Sequence, residues 1–332
     1  MDIINSEFYG DRGMSNRALQ KKDFHRGRAT EIAREVACLE LSIVNIYFVG
    51  PLQAGDRAWV LVDTGLPTSQ GTIVREAERR FGQGVRPSAI VMTHGHIDHA
   101  GSVRELAELW DVPVYAHRLE APYLNGRSDY PPGDTTVGGG ALARLGPRLF
   151  SRRAIDLGPR LRLLPEDGTV PGMPGWRWIH TPGHTPGHVS LFREEDRVLI
   201  AGDAFVTTHQ ESFWAVMTRF QEVWRPPAYF TTDWDASRAS VRALARLQPS
   251  VAGTGHGIPM SGERLLRELT DLARNFDEVM PDDGRYVRQP ARADEDGVYS
   301  VPPPRFDPLP TLLVSAGVLA LIGTKLLRAR AA

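Results

Sequence analysis

The chain has 332 residues, 42% of them apolar, enough for a sizeable core in one large domain or two small ones. Its 39 basic and 40 acidic side chains leave a net charge of −1, which gives no electrostatic footprint for nucleic acid, a partner that normally meets a strongly basic face. One cysteine excludes an internal disulfide framework, and Cys38, with no basic partner near it in sequence, reads as a small core residue.

Residues 1–28 are polar and charged and hold no apolar stretch, so they read as an N-terminal extension without a signal peptide, and a cytoplasmic location is expected. His25 within it reads as solvated. The catalytic domain is expected over 29–285 and opens with strand-like alternation from Val36 to Val49. Trp59-Val-Leu-Val-Asp63-Thr-Gly65 reads as a strand ending in a carboxylate. Helical spacing follows at 69–82 and 102–110, and again at 237–248 and 262–279, where Leu265, Leu266, Leu269, Leu272 and Phe276 make one apolar face. Strands ahead of helices in both halves predict an αββα sandwich, two sheets with helices outside.

Between the first two helical stretches lies the most informative run. Ala89-Ile-Val-Met92 suits a buried strand, and Thr93-His-Gly-His-Ile-Asp-His99 follows it directly. Alternate side chains of an extended segment point the same way, so His94 and His96 can reach one metal ion. Asp98 and His99 then emerge beyond the turn, towards a second ion. Three later segments supply what two ions would still need. These are the turn-rich loop Thr181-Pro-Gly-His184-Thr-Pro-Gly-His188, the strand Arg197–Asp203 ending in Gly-Asp, and the glycine-rich turn around His256. His94, His96 and His184 are assigned to one ion, Asp98, His99 and His256 to the other, and Asp203 between them. A bridging carboxylate offsets the repulsion of cations about 3.5–4 Å apart.

This order of motifs resembles the metallo-β-lactamase-fold hydrolases across most of residues 30–280. The resemblance implies that Asp63 lies beside the site and orients the ligand loop. True zinc β-lactamases commonly carry a cysteine where this chain has Asp203, which points away from antibiotic degradation and towards the glyoxalase II, lactonase and phosphodiesterase branches. The expected activity is dinuclear hydrolysis of a small ester, thioester or lactone by a metal-bridging hydroxide, with Asp98 a candidate for orienting the attacking water. Two divalent ions are expected, zinc by default for a mixed imidazole and carboxylate set, with iron or manganese as alternatives. Competing functions are a phosphodiesterase or RNA-processing hydrolase, a mononuclear iron persulfide dioxygenase, and a non-catalytic membrane-tethered module.

Residues 122–156 read as a lid or substrate wall, and the aromatic-rich 204–235 either as a second wall, with His209 and Phe213 as candidate substrate contacts, or as a surface helix and loop packed on the body. His180 and His188 read as hydrogen-bonding residues, and His117 either borders the site or is a plain loop histidine. Beyond a Pro-rich linker at 286–308, the apolar tail 309–332 carries 17 uncharged residues from Pro308 to Thr324 and a basic end with Lys325, Arg328 and Arg330. That is the short limit for a spanning helix, and the expected roles are membrane association or a homo-oligomer contact.

Overall fold

Alternate residues of the central strands feed two different cores, which is why these strands read as nearly continuous apolar runs. In the computed structural model, which describes residues 19–138, 148 and 150–305, Ala37, Leu39 and Leu41 of one strand pack under helices while Val36 and Cys38 face the other sheet. Ile46 and Phe48 of the next strand join the helix side, and Tyr47 and Val49 the sheet side. Three layers of apolar packing result: helices on sheet, sheet on sheet, and sheet on helices. The αββα expectation holds.

The first sheet runs β1 (Ala29–Ala33), β2 (Val36–Leu41), β3 (Val44–Val49), β4 (Val60–Val62), β5 (Ala89–Val91), β6 (Val114–Ala116) and β7 (Leu161–Leu163) in that order. It is antiparallel up to β4 and parallel from β4 to β7. The second sheet holds β8 (Trp176–His180), β9 (Val189–Arg193), β10 (Val198–Ile200), β11 (Val251–Gly253) and β12 (Met260–Ser261), in the order β12-β11-β10-β9-β8. Its one parallel pair is β10 with β11. Parallel neighbours share a carboxyl end, so the segments that leave β4, β5, β10 and β11 emerge on one rim of the sandwich.

Helices Gln70–Phe81 and Val103–Trp110 cover the first sheet, and Trp234–Arg246 and Gly262–Arg274 the second. Trp59 is fully buried where sheet and helix meet, stacked on Phe81 at 4.3 Å and edge-on to Phe48 and Trp110. The helical stretch expected through 279 breaks at Asn275 and resumes as Phe276–Val279. The alternation at 36–49 is a hairpin rather than one strand, turning at Ser42 with φ of 41°.

Two expected boundaries differ from the structure. Phe24 is buried in the inter-sheet core, so the body begins within the expected N-terminal extension. The expected linker at 286–308 contains a hairpin, Arg292–Asp294 with Gly297–Ser300, and the buried Tyr286, whose hydroxyl donates to the Pro132 carbonyl at 2.5 Å. Val298 N–H donates to Ser128 Oγ at 3.1 Å, tying the hairpin to the 122–156 segment. Among the described residues no helix is long and apolar enough to cross a membrane. The tail 309–332 lies outside the described residues.

Candidate metal centre

Asp63 follows β4, His94 follows β5, Asp203 follows β10 and His256 follows β11, so the shared carboxyl rim brings together residues up to 193 positions apart. The β8–β9 loop adds His184. All seven expected ligands meet there, in three overlapping groups whose ligand atoms lie within 4.8 Å of one another: His94, His96 and His184; His94, His99 and Asp203; and Asp98, His99 and His256. Asp203 Oδ2 is 3.1 Å from His256 Nε2 and 3.5 Å from His184 Nε2, while Oδ1 is 3.6 Å from His99 Nε2. The carboxylate therefore stands between the two expected sets. Asp98, half-buried, lies 3.4 Å from His256 Nε2.

The ring nitrogens facing away from the centre decide which atoms face inward. His256 Nδ1 donates to the Ile43 carbonyl at 2.6 Å, and His99 Nδ1 donates to Asp63 Oδ2 at 2.8 Å. Thr93 Oγ1 gives its proton to Asp63 Oδ2 at 2.7 Å and so accepts from His94 Nδ1 at 3.1 Å. Thr231 Oγ1 gives its proton to Pro227 O at 2.8 Å and so accepts from His184 Nδ1 at 3.3 Å. Each arrangement turns Nε2 towards the centre, the way metal-binding imidazoles are held, with His184 Nε2 facing His96 Nδ1 at 3.0 Å and His256 Nε2 facing Asp203 Oδ2 at 3.1 Å. His94 Nε2, His99 Nε2 and Asp203 Oδ1 are buried without a hydrogen-bond partner among the described residues. Unpaired buried acceptors converging on one point are costly unless a cation sits among them, so the donor set fits divalent metal ions.

Electrostatics agree. Burial drives His94 and His184 well below the usual imidazole range and His96 down to about 4, so these rings are neutral. Burial opposes charge on His99 and His256 too, but the Asp203 carboxylate, with Asp63 beside His99 and Asp98 near His256, raises both. Burial alone would raise Asp203, but His256 and His99 beside it outweigh that and pull it well below the usual carboxylate range. The rim is thus built to hold positive charge next to carboxylates.

Packing behind the ligands is close. A Cβ on Gly255 would lie 2.0 Å from Asp203 Oδ1, so only glycine lets the β11 turn pass the carboxylate. Asp63 itself occupies the left-handed region at φ of 59°, which re-aims its carboxylate from the end of β4 across to Thr93 and His99. His188 is a buried hydrogen-bonding residue: its Nε2 accepts from Asp203 N–H at 2.8 Å and its Nδ1 meets Thr181 Oγ1 at 2.8 Å. His180 bonds Pro186 O at 2.8 Å and stacks on His117, and both border a separate cavity of about 380 Å³ with Trp178.

A narrow hollow opens beside His96 and Asp98, lined by Tyr130, Pro131, Phe150, Ser151 and Arg152 from one expected wall segment and Phe230 from the other. Phe205 and Trp234 instead pack in the core against the helices. His209 is not among the hollow's lining residues; it packs on Trp224 at 4.3 Å, with Nε2 3.6 Å from Glu211 Oε2. Phe213 begins the helix Phe213–Thr218, and its side chain lies outside the described residues.

Sequence reasoning missed three residues. Glu120, fully buried, holds loops on either side of the centre, and burial pushes its carboxyl up to about 7 against the pull of its hydrogen bonds. Tyr130 packs its ring on His96 at 4.5 Å. The Tyr229 phenol lies in the field of Asp98, and burial together with that charge raises it, so it keeps its proton.

Comparison with known proteins places these observations. A family model described as the metallo-beta-lactamase superfamily matches residues 39–256. The chain is 46% identical over 266 residues to the probable metallo-hydrolase YflN of Bacillus subtilis, a match covering 80% of this chain and all of that protein. It is 31% identical over 157 residues to a hydroxyacylglutathione hydrolase of Xylella fastidiosa, covering 47% of this chain and 44% of that one. Among solved structures, the subclass B3 enzyme BJP-1 of Bradyrhizobium japonicum superposes with a TM-score of 0.50 at 21% identity, over 78% of this chain and 95% of its own, a likeness of fold alone.

Proposed function

We propose, from the premise that the chain belongs to the metallo-β-lactamase superfamily and is a metal-dependent hydrolase, that it holds two divalent ions and cleaves a small ester, thioester or lactone. The observation that carries this reading is the convergence of the inward-facing Nε2 atoms of His94, His99, His184 and His256 on a carboxylate that reaches both sides. His94, His96 and His184 would hold one ion, Asp98, His99 and His256 the other, and Asp203 both. Bound there, two divalent cations would lower the pKa of water towards ~7 and polarise an acyl oxygen.

The chain's own groups do the rest. Asp63 and the Ile43 carbonyl fix the tautomers of His99 and His256, so neither ring needs to reorganise to present its lone pair. Asp98 both approaches His256 and lines the hollow, which makes its carboxylate the group to accept a proton from an attacking water beside the substrate. Tyr130, Phe150 and Phe230 offer aromatic faces to an acyl or alkyl group and keep water from the hollow.

The substrate class rests on that lining. The one cation among its described lining residues, Arg152, is engaged by the Tyr130 carbonyl at 3.0 Å and by Asp129 at 3.9 Å, which disfavours a phosphodiester. The partial similarity to a hydroxyacylglutathione hydrolase supports the thioester version. Zinc is the default ion for this donor set.

The test is metal content per chain on freshly purified protein, paired with a panel of thioester, lactone, carboxyl ester and bis-aryl phosphate. Two zinc ions with cleavage of carbonyl substrates are expected. Cleavage of the phosphate alone, or a single iron with oxygen consumption and no hydrolysis, would overturn the reading.

Two variants refine it. Asp63→Asn places an amide where Thr93 and His99 need acceptors, so the ion on Asp98, His99 and His256 should bind about 10–100-fold more weakly in chelator competition. Phe230→Ala should raise KM for an apolar acyl substrate about tenfold with little change in kcat, because the lost contact serves ground state and transition state alike.

A further inference from the structure

We propose that Glu120 is a positioning residue for one of the two ligand sets only, a buried clasp that holds the His94–His96 loop against the His184 loop. The inference rests on the dinuclear reading above and adds an asymmetry to it.

Glu120 leaves the turn after β6, its N–H bonded to the His117 carbonyl at 2.8 Å, and its side chain is fully buried. Its two oxygens divide their work between the loops. Oε2 accepts from the N–H of Gly95, the residue between His94 and His96, at 3.0 Å, and from the Tyr130 hydroxyl. Oε1 accepts from Thr185 Oγ1 at 2.6 Å and from Gly187 N–H at 2.9 Å, next to and three residues after His184. Tyr130 in turn stacks on Tyr123 at 3.9 Å and packs on His96. One carboxylate thus closes the gap between two segments that lie 88 residues apart at His96 and His184, whose facing nitrogens are 3.0 Å from each other.

The second set is anchored elsewhere. His99 is held by Asp63, and His256 by the Ile43 carbonyl. None of the four donors to Glu120 contacts these anchors. Four hydrogen bonds to one carboxylate also explain why this position holds an acid: Thr185 and Tyr130 could turn their hydroxyls, but the two backbone N–H groups can only donate. A glutamine offers one acceptor oxygen and would set its amide N–H against one of them.

Zinc affinity in two backgrounds tests this. In His256→Ala protein only the three-imidazole set is complete, and adding Glu120→Gln should weaken zinc binding there by about 10–100-fold. In His184→Ala protein only the other set is complete, and the same substitution should leave zinc affinity within about twofold of its background, well short of an outer-shell effect. Thr185→Val, which removes one of the four donors and keeps the side-chain shape, should give a smaller loss in the first background and none in the second; it carries the test if Glu120→Gln does not fold. Equal weakening in both backgrounds would make Glu120 a general support of the fold and overturn the proposal, as would no weakening in the first. Absence of zinc from the parent protein would instead remove the dinuclear reading itself.

Discussion

Asp203→Ala is expected to abolish paired metal binding and to cut hydrolysis at least 100-fold, at or above the roughly 10²–10³-fold lost when one preorganised electrostatic group is removed. Among the described residues Asp203 is the one carboxylate within 3.6 Å of an imidazole from each set, reaching His184 on one side and His99 and His256 on the other. Two cations so close repel each other strongly without a shared anion. The fold should survive, because the Asp203 side chain faces the ligand imidazoles, while its backbone N–H, bonded to His188 Nε2 at 2.8 Å, is kept by alanine. Elemental analysis should find one ion or none per chain, with circular dichroism unchanged. Two ions retained in this variant would contradict the assignment of Asp203 as the bridge.

Arg225→Ala should cost about 3–5 kcal/mol of stability, the usual penalty for breaking one half of a buried ion pair. Arg225 and Glu211 are both buried, with Nη1 2.8 Å from Oε1. The same oxygen accepts the Ala228 N–H at 2.7 Å, and Arg225 Nε donates to the Val279 carbonyl at 2.6 Å. The guanidinium also lies over the faces of Trp224 and Trp234, at 5.7 and 5.5 Å. This pair therefore ties the 204–235 wall to the end of the helix Phe276–Val279. Removing the cation strands a carboxylate whose second oxygen already lacks a hydrogen bond among the described residues. Thermal unfolding should begin well below that of the parent chain, and KM should rise because Phe230 is carried by the same wall. The double replacement Arg225→Met with Glu211→Gln should recover most of the loss, since it removes the stranded charge. A thermal transition unchanged in Arg225→Ala would show that water reaches the pair and that it does not brace the wall.

Several features of this molecule were open to reading in one dimension, and the reason differs from those that were not. The run from Thr93 to His99 is legible because metal coordination restricts both residue type and spacing, and a strand followed by a sharp turn can satisfy it within seven residues. Asp203 and His256 are legible because each ends an apolar strand beside glycine, and strands of one orientation deliver their last residues to a common rim. The αββα layering follows from strands such as Val36–Leu41 that are apolar on both faces. Glu120 gave no such signal. Its partners are 10, 25, 65 and 67 residues away, and nothing in its own neighbourhood distinguishes it from a solvated helix residue. His209 shows the reverse failure. It lies six residues from a ligand in an aromatic stretch, yet its ring packs on Trp224, because nearness along the chain does not set the direction of a side chain. The sequence by itself determined the family, the residues that could hold metal and the layer order, since local periodicity and ligand chemistry are written into short segments. Only the tertiary structure decided which buried carboxylate clasps two distant loops and which aromatic rings line the hollow, because those contacts exist only after the sheets close and bring remote segments within hydrogen-bonding reach.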